Sequence, residues 1–249
     1  MSGHSKWSTI KRQKGANDAK RGALFTKLGK EISIAAREGG GDPDANYRLR
    51  LVVDKAREAN MPADNIKRAI ERATGGDKAI EYEEITYEGY GPGGVAILVE
   101  TATDNKNRTA AEVRSIFSKA GSQMAGQGSV AWQFEQRGVI AVAGGSGDPD
   151  DIALAAIDAG ATDVDTESDP IEISTEPGEL LRVQTSLEEA GVKVDSAELT
   201  MVAKQLIEVD VDKARSNLRL IEALEDSDDV QRVTANFELP DEILAEAAG

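Results

Sequence analysis

The spacing of the apolar residues changes near residue 76 of this 249-residue chain. Before that point, apolar residues such as Leu24, Leu28 and Ile32 recur every three or four positions, which is the repeat of an amphipathic helix. After it, residues 85–104 alternate or run β-rich on both sides of a glycine-rich turn, as in a β-hairpin. We therefore expect a helical beginning followed by mixed α and β structure.

Glycine and proline divide the helical region into three segments. The run Gly39–Gly41 ends the first helix, and Asp42 with Pro43 predicts an N-cap and first turn that start the second. Residues 60–76 predict a third helix, which ends at its closing glycine pair. These 76 residues are expected to form a small all-helical domain.

The rest of the chain contains one complete β-α-β-β-α-β series, starting at residue 138. This is the element order of a ferredoxin-like domain. A further helix and strand follow it, and they most simply complete the sheet begun by residues 82–135. Within that sheet, residues 129–136 are predicted to be a strand with Val130, Trp132 and Phe134 on one face. The ferredoxin-like series would then be inserted in the domain before it, which is feasible where domain ends lie close together.

The predicted fold class is α+β, with three domains. An N-terminal all-helical basic domain is followed by two ferredoxin-like α/β domains, the third inserted in the second. The predicted boundaries are residues 1–76, 77–136 with 205–240, and 137–204, with a C-terminal tail at 241–249.

Charge is divided unevenly along the chain, whose formal net charge is −16. Residues 1–75 carry 16 Lys and Arg against 9 Asp and Glu, whereas the remainder is strongly acidic. Such asymmetry suggests that the basic end faces a polyanion. The alternative is that the basic end docks on the acidic body of the same protein.

The basic end supplies the candidate nucleic-acid contacts. Its cations would neutralise phosphates and give a steep salt dependence, and Trp7 would either stack on an unpaired base or pack on the first helix. The candidates are Lys6, Trp7, Lys11, Arg12, Lys14, Lys20, Arg21, Lys27 and Lys30. Changing Lys11, Arg12 and Lys14 together to Glu is expected to abolish binding and leave the fold intact.

A second group of cations lies at the start of the helix predicted after Thr103 or Asp104. Lys106, Arg108 and Arg114 stand there in an otherwise acidic region, although cations at a helix N-terminus oppose the helix dipole. Either an anionic partner or a salt bridge to a nearby acid would explain them.

Other classes of site are poorly supported. The chain has no cysteine and one histidine, His4, so neither a Cys–His nor a Ser–His–Asp set is expected. Residues 89–94, "GYGPGG", are followed by a strand pattern rather than a helix, which favours a turn over a phosphate-binding loop. Three clusters of acidic residues could in principle bind Mg²⁺, but acids at such helix starts and turns are more typical of a solvent-exposed surface. The clusters are Asp148, Asp150 and Asp151; Asp163, Asp165 and Glu167; and Asp226, Asp228 and Asp229.

The motifs in these segments resemble those of the YebC/PmpR family, which includes a mitochondrial translational activator of cytochrome c oxidase. The residues that carry the resemblance are "SGHSKW" at 2–7, "AAREGGGDPDAN" at 35–46, "TDNKNRT" at 103–109 and "GSVAWQFEQRGVI" at 128–140. The resemblance implies three domains, with nucleic-acid contacts on the basic arm. It adds Asn105 and Asn107 to Lys106, Arg108 and Arg114 as secondary contacts.

The resemblance leaves two functions open. Family members are described as transcriptional regulators that bind promoter DNA, and also as translation factors that bind the ribosome and relieve stalling at difficult peptide bonds. The expected function is a nucleic-acid-binding regulator of gene expression, bound to promoter DNA or, alternatively, to ribosomal RNA on the ribosome. We expect a cytoplasmic monomer and not an enzyme, with no cofactor, no metal, no small-molecule substrate and no membrane partner.

Overall fold

The computed structural model describes residues 18–75 and 81–248. Its described helices are α1 (Asp18–Gly39), α2 (Tyr47–Glu58), α3 (Ala63–Thr74), α4 (Lys106–Lys119), α5 (Pro149–Asp158), α6 (Leu180–Glu189), α7 (Val211–Glu225) and α8 (Asp241–Ala248). Its described strands are β1 (Glu83–Tyr90), β2 (Ala96–Thr103), β3 (Gln123–Ala125), β4 (Phe134–Val142), β5 (Asp163–Asp165), β6 (Ile171–Thr175), β7 (Val194–Ala203) and β8 (Val230–Ala235). The fold is therefore α+β, with N-terminal helices followed by two antiparallel sheets.

The chain divides into two compact units. One consists of residues 134–204, and the other contains the described residues on both sides of that segment. The finer boundaries of the three predicted domains stay a prediction. None of the helices in the described part of the chain is long and apolar enough to cross a membrane.

Helices α1, α2 and α3 share one apolar core. Its buried residues are Leu28, Ile32, Ala35, Ala36, Leu49, Val53, Ala56, Met61, Ile66, Ala69 and Ala73. Leu28 and Ile32 follow the helical repeat seen in the sequence, whereas Leu24 of the same repeat is 41% exposed. Helix α1 ends at Gly39, within the predicted glycine run. The three-helix prediction is confirmed for the described residues.

The start of α2 differs from the prediction. Asp42 and Pro43 lie in a turn, and the helix begins only at Tyr47. Asn46 is the cap instead: its Oδ1 accepts a hydrogen bond from the Leu49 N–H at 3.1 Å, and its Nδ2 donates to a main-chain carbonyl of α1 at 2.7 Å. Because this buried amide hydrogen-bonds to main-chain groups of both helices, it fixes the start of α2 more firmly than the exposed Asp42 could.

The first sheet has the strand order β3-β1-β2-β8. Strands β1 and β2 form the predicted hairpin, and the turn between them carries Gly93 at φ 82° and Gly94 at φ 81°. Strand β8 pairs antiparallel with β2, with Val99 opposite Val233. The late helix and strand therefore complete the sheet begun before residue 134, as predicted, and residues 134–204 are inserted in it.

The second sheet lies within residues 134–204 and has the order β5-β6-β4-β7. Its elements follow one another as β-α-β-β-α-β, and every strand pair is antiparallel, which is the ferredoxin-like arrangement. Asp148 caps α5 by accepting a hydrogen bond from the Asp150 N–H, with Pro149 in the first turn, as the sequence predicted.

The prediction of a strand over residues 129–136 was wrong for its first half. Ala131–Gln133 form a single 3₁₀ turn, Trp132 is 68% exposed, and β4 begins only at Phe134. The buried Glu88 carboxylate accepts hydrogen bonds from the N–H groups of Gly128, Val130 and Ala131, and this bends the chain away from an extended course.

Candidate nucleic-acid interface

Most of the predicted basic arm lies outside the described residues. Lys6, Trp7, Lys11, Arg12 and Lys14 are not described, and neither is the side chain of Lys20. Their assignment as nucleic-acid contacts stays a prediction. The described members of the set are Arg21, Lys27 and Lys30, all on α1.

These three cations differ in exposure. Arg21 is exposed, whereas Lys27 is half-buried and donates a hydrogen bond to the main-chain carbonyl of Glu225. Lys30 is only 7% exposed, and its Nζ lies 2.6 Å from Asp229 Oδ1 and 2.8 Å from the Asp228 carbonyl oxygen. For Lys27 and Lys30, the structure therefore shows the docking on the acidic body that the sequence left open.

Asp229 is the centre of a buried polar cluster that joins α1 to α4. Its Oδ2 accepts hydrogen bonds from Arg108 Nη2 and Thr109 Oγ1, both at 2.7 Å. Burial opposes ionisation of this carboxylate, but the hydrogen bonds from Lys30, Arg108 and Thr109 outweigh burial and lower the pKa of Asp229 to about 2. The carboxylate is therefore ionised throughout the physiological pH range.

The secondary contacts predicted around α4 are partly engaged within the protein. Asn105, rather than Thr103 or Asp104, caps the helix, because its Oδ1 accepts a hydrogen bond from the Arg108 N–H. Arg108 also pairs with Asp104 at 2.9 Å, so the salt-bridge explanation for its position is the one that the structure shows.

The remaining secondary candidates have side chains at the surface. Lys106, Asn107 and Arg114 are exposed, and Lys106 Nζ is 3.7 Å from Glu83 Oε2. Their assignment as secondary nucleic-acid contacts stays a prediction.

A cavity of about 320 Å³ opens between α1, α3 and the residue just before β1. Its lining includes two aromatic residues, Phe25 and Tyr82, and two exposed arginines, Arg68 and Arg72. The full lining is Phe25, Thr26, Gly29, Lys30, Ser33, Met61, Asn65, Arg68, Ala69, Arg72 and Tyr82. No carboxylate belongs to this described lining, although the chain as a whole is acidic.

Tyr82 forms one wall of this cavity. Lys30 Nζ lies 5.8 Å from the centre of its ring, within the range of a cation–π contact. Partial burial raises the pKa of the Tyr82 hydroxyl, and the negative charge of Asp104 adds to this effect. The hydroxyl is therefore neutral at physiological pH.

Sequence reasoning did not select Asn65, Arg68, Arg72 or Tyr82 as site residues. Arg68 and Arg72 are four residues apart, and this spacing indicates in the sequence that both lie on one face of α3, which forms the cationic wall of the cavity. The pairing of that face with Phe25 and Tyr82 depends on how α1, α3 and β1 pack, and no local pattern reports it.

The described part of the chain holds no group of three or more His, Asp or Glu residues placed to bind a metal ion. Asp229 itself is committed to the cluster with Lys30 and Arg108. Asp148 serves as the cap of α5.

Two family models match the sequence. The model of the TACO1/YebC protein N-terminal domain matches residues 5–76, and that of the TACO1/YebC second and third domain matches residues 82–237. The chain is 55% identical over 250 residues to a protein of Rubrobacter xylanophilus, with 100% of both chains covered. It is also 56% identical over 245 residues to a protein of Acidithiobacillus ferrooxidans, with 98% of both covered. Both relatives are named "Probable transcriptional regulatory protein".

A solved structure supports the same relationship. The crystal structure of the conserved hypothetical protein Aq1575 from Aquifex aeolicus superimposes with a TM-score of 0.85 at 43% sequence identity. The match covers 91% of this chain and 94% of that one. The resemblance seen in the sequence motifs is thus confirmed, and the chain belongs to the TACO1/YebC family.

Proposed function

We propose that this protein regulates gene expression by binding nucleic acid through its N-terminal helices. The observation that carries the proposal is the cavity between α1 and α3, which is lined by two exposed arginines and by no described carboxylate in a chain of net charge −16. Arginine and lysine contacts to phosphates supply most of the affinity of such proteins. The basic residues from Lys6 to Lys14 precede α1 in the sequence and would add further positive charge for binding phosphates.

A role in transcription, through binding to promoter DNA, is supported by two findings. The relatives carry the name of probable transcriptional regulatory proteins. In addition, α2 and α3 are joined by only four residues, 59–62, with Asn60 at φ 59°, and a short turn of this length connects the two helices of many DNA-binding motifs. In that arrangement α3, with its exposed arginines, would lie in the major groove.

A role in translation, through binding to ribosomal RNA, is supported by a different feature. Phe25 and Tyr82 place aromatic rings beside the arginines, and aromatic side chains are the usual platform for unpaired bases in structured RNA. The acidic remainder of the chain would be repelled by either polyanion, so the helices would approach it first.

We propose a binding role without catalysis. The sequence has a single histidine and no cysteine, and the buried carboxylates Asp229 and Glu88 are both occupied by hydrogen bonds within the protein. The monomeric state and the cytoplasmic location stay predictions.

Sedimentation with ribosomes at physiological salt, with and without an excess of duplex DNA, tests the two targets. If the protein pellets with ribosomes and duplex DNA does not displace it, the translation role is supported. If it stays in the supernatant but binds duplex DNA directly, the transcription role is supported. Failure to bind either ribosomes or DNA would contradict the proposal as a whole.

A further inference from the structure

The cavity between α1 and α3 has the size of a site for one small group rather than that of a broad electrostatic surface. Its volume of about 320 Å³ falls at the lower end of the range for small-ligand sites, about 300–1,000 Å³. It also combines apolar and polar walls, with Met61 and Phe25 among the former and Asn65 and Thr26 among the latter. A phosphate-binding surface alone would need no such recess.

The two aromatic walls offer flat apolar surface to a ligand. Phe25 and Tyr82 are both half-buried, so part of each side chain remains accessible while the rest is held in place. Phe25 packs in part against the helical core. A ring fixed in this way loses little conformational freedom when a planar group stacks on it.

The cationic wall is suited to an anion. Arg68 and Arg72 are one helical turn apart on α3 and are exposed. Arg68 donates hydrogen bonds to the Asp64 carbonyl oxygen at 3.1 Å and to Asn65 Oδ1 at 2.6 Å, which orient its guanidinium. Within residues 18–75 and 81–248, Arg72 forms no ion pair, so its charge is not neutralised by a described carboxylate.

Lys30 contributes differently from the arginines. Its charge is compensated by Asp229, and its burial leaves little of it to contact a ligand. It therefore acts as a positioning residue, because its Nζ stands 5.8 Å from the centre of the Tyr82 ring and helps to hold that wall of the cavity.

We propose that this cavity holds one unpaired nucleotide of the bound strand, with its base against Tyr82 and Phe25 and its phosphates on Arg68 and Arg72. A base inside a duplex can enter the recess only if it unpairs and leaves the stack, which costs free energy, so the site favours single-stranded or bulged nucleic acid. This inference rests on the proposed function, and it adds that the helices recognise an unpaired base as well as phosphate charge.

Fluorescence anisotropy with labelled oligouridine and oligothymidine strands of about 12 nucleotides, and with a duplex of equal length, tests this site. We expect Tyr82→Ala to weaken binding of single strands about tenfold or more, since stacking on one aromatic residue commonly contributes that much. Duplex binding should change less than about twofold, because phosphate contacts supply most of it. Tyr82→Phe keeps the aromatic ring and should bind single strands as tightly as the wild type does. The ratio of the affinities for the uridine and thymidine strands shows whether RNA is preferred to DNA.

Tyr90→Ala is the matched control. Tyr90 is the last residue of β1, and Tyr82 comes just before the first, so the two tyrosines are about 26 Å apart along the strand. Tyr90 is exposed, and its hydroxyl donates a hydrogen bond to the Ser129 carbonyl oxygen. It should have no effect on either ligand. The inference is overturned if Tyr82→Ala leaves single-strand binding intact, or weakens single-strand and duplex binding equally. If the wild-type protein binds none of these ligands, the proposed function fails and the inference fails with it.

Discussion

Asp229 connects parts of the chain that are far apart in sequence. Its carboxylate binds Lys30 on α1 and Arg108 on α4, and its main-chain carbonyl accepts a hydrogen bond from the Ala102 N–H at 2.8 Å. This one buried acid therefore links α1, which forms one wall of the cavity, to α4 and to strand β2.

Replacement of Asp229 by Asn should lower the free energy of unfolding by about 3 kcal/mol, because it leaves the buried Lys30 ammonium without its counter-charge. Urea unfolding at about pH 7 measures this change. The matched control is Asp228→Asn, since Asp228 is exposed and contacts Lys30 only through its main-chain carbonyl. Equal losses of stability in the two variants would contradict the role assigned to the Asp229 carboxylate.

The same carboxylate predicts how stability depends on pH. The pKa of Asp229 is lowered from 3.8 to about 2 in the folded protein, so its contribution is complete above the unfolded-state pKa and is lost as pH falls through the folded-state value. We expect the stability difference between wild type and Asp229→Asn to be constant above about pH 5 and to shrink by about 2 kcal/mol between about pH 4 and pH 2. A difference that grew with acidification would refute this linkage.

The roles of single residues were the part of the structure that the sequence predicted least well. Asp229 was grouped with Asp226 and Asp228 as surface acid, because nothing local distinguishes the buried member of an acidic turn from the exposed ones. Its partners lie 199 and 121 positions away. The caps Asn46 and Asn105 were missed for a related reason: acidic neighbours offered equally good local signals.

At the scale of elements, the helices were the most predictable part of the fold. Their 3–4 residue repeat and glycine stops depend only on local sequence, and α1, α3 and α5 end or begin close to where these signals lie. Strand β3 has only three residues, Gln123–Ala125, which is too short for a recognisable alternation. It exists because it pairs with β1, with Met124 opposite Gly89.

The segment around Trp132 shows how one buried side chain overrides a strand pattern. The Glu88 carboxylate, 4% exposed, accepts hydrogen bonds at 2.6 Å from the Gly128 and Val130 N–H groups and at 2.9 Å from the Ala131 N–H. Burial opposes ionisation of Glu88, but these main-chain hydrogen bonds outweigh burial and lower its pKa.

Glu88→Gln should therefore release this segment without unfolding the sheet. An amide has one acceptor oxygen where the carboxylate has two, so at least one of the three N–H groups loses its partner. Hydrogen exchange measured by mass spectrometry should show faster exchange across residues 126–133, with β1 and β2 still protected. The exposed Glu83, on the same strand, gives the control variant Glu83→Gln, and unchanged exchange in Glu88→Gln would contradict the assignment.

At the scale of the whole molecule, the uneven distribution of charge is the feature that the sequence reported best. The basic end and the acidic remainder were evident without a structure. The sequence also predicted that residues 137–204 are inserted in the preceding domain, and in the structure the inserted segment is residues 134–204, with β8 completing the first sheet. The cavity was not evident, because it forms only where α1, α3 and Tyr82 meet.

The cavity arginines should carry part of the salt dependence of binding. Changing Arg68 and Arg72 together to Glu is expected to weaken binding of any nucleic acid and to reduce the slope of log affinity against log salt by about 1–2, or nearly one for each phosphate that the protein no longer neutralises. Titrations at several salt concentrations measure the slope. The control reverses the charge of Arg219, an exposed arginine on α7 outside the cavity, and should leave the slope unchanged. An unaltered slope in the double variant would exclude these arginines from the interface.

Ultraviolet crosslinking of the bound nucleic acid, followed by identification of the crosslinked peptides, tests the central claim most directly. We predict crosslinks within residues 1–75 and at Tyr82, with few in residues 134–204. Crosslinks confined to residues 134–204, with none on the N-terminal helices or Tyr82, would contradict the account.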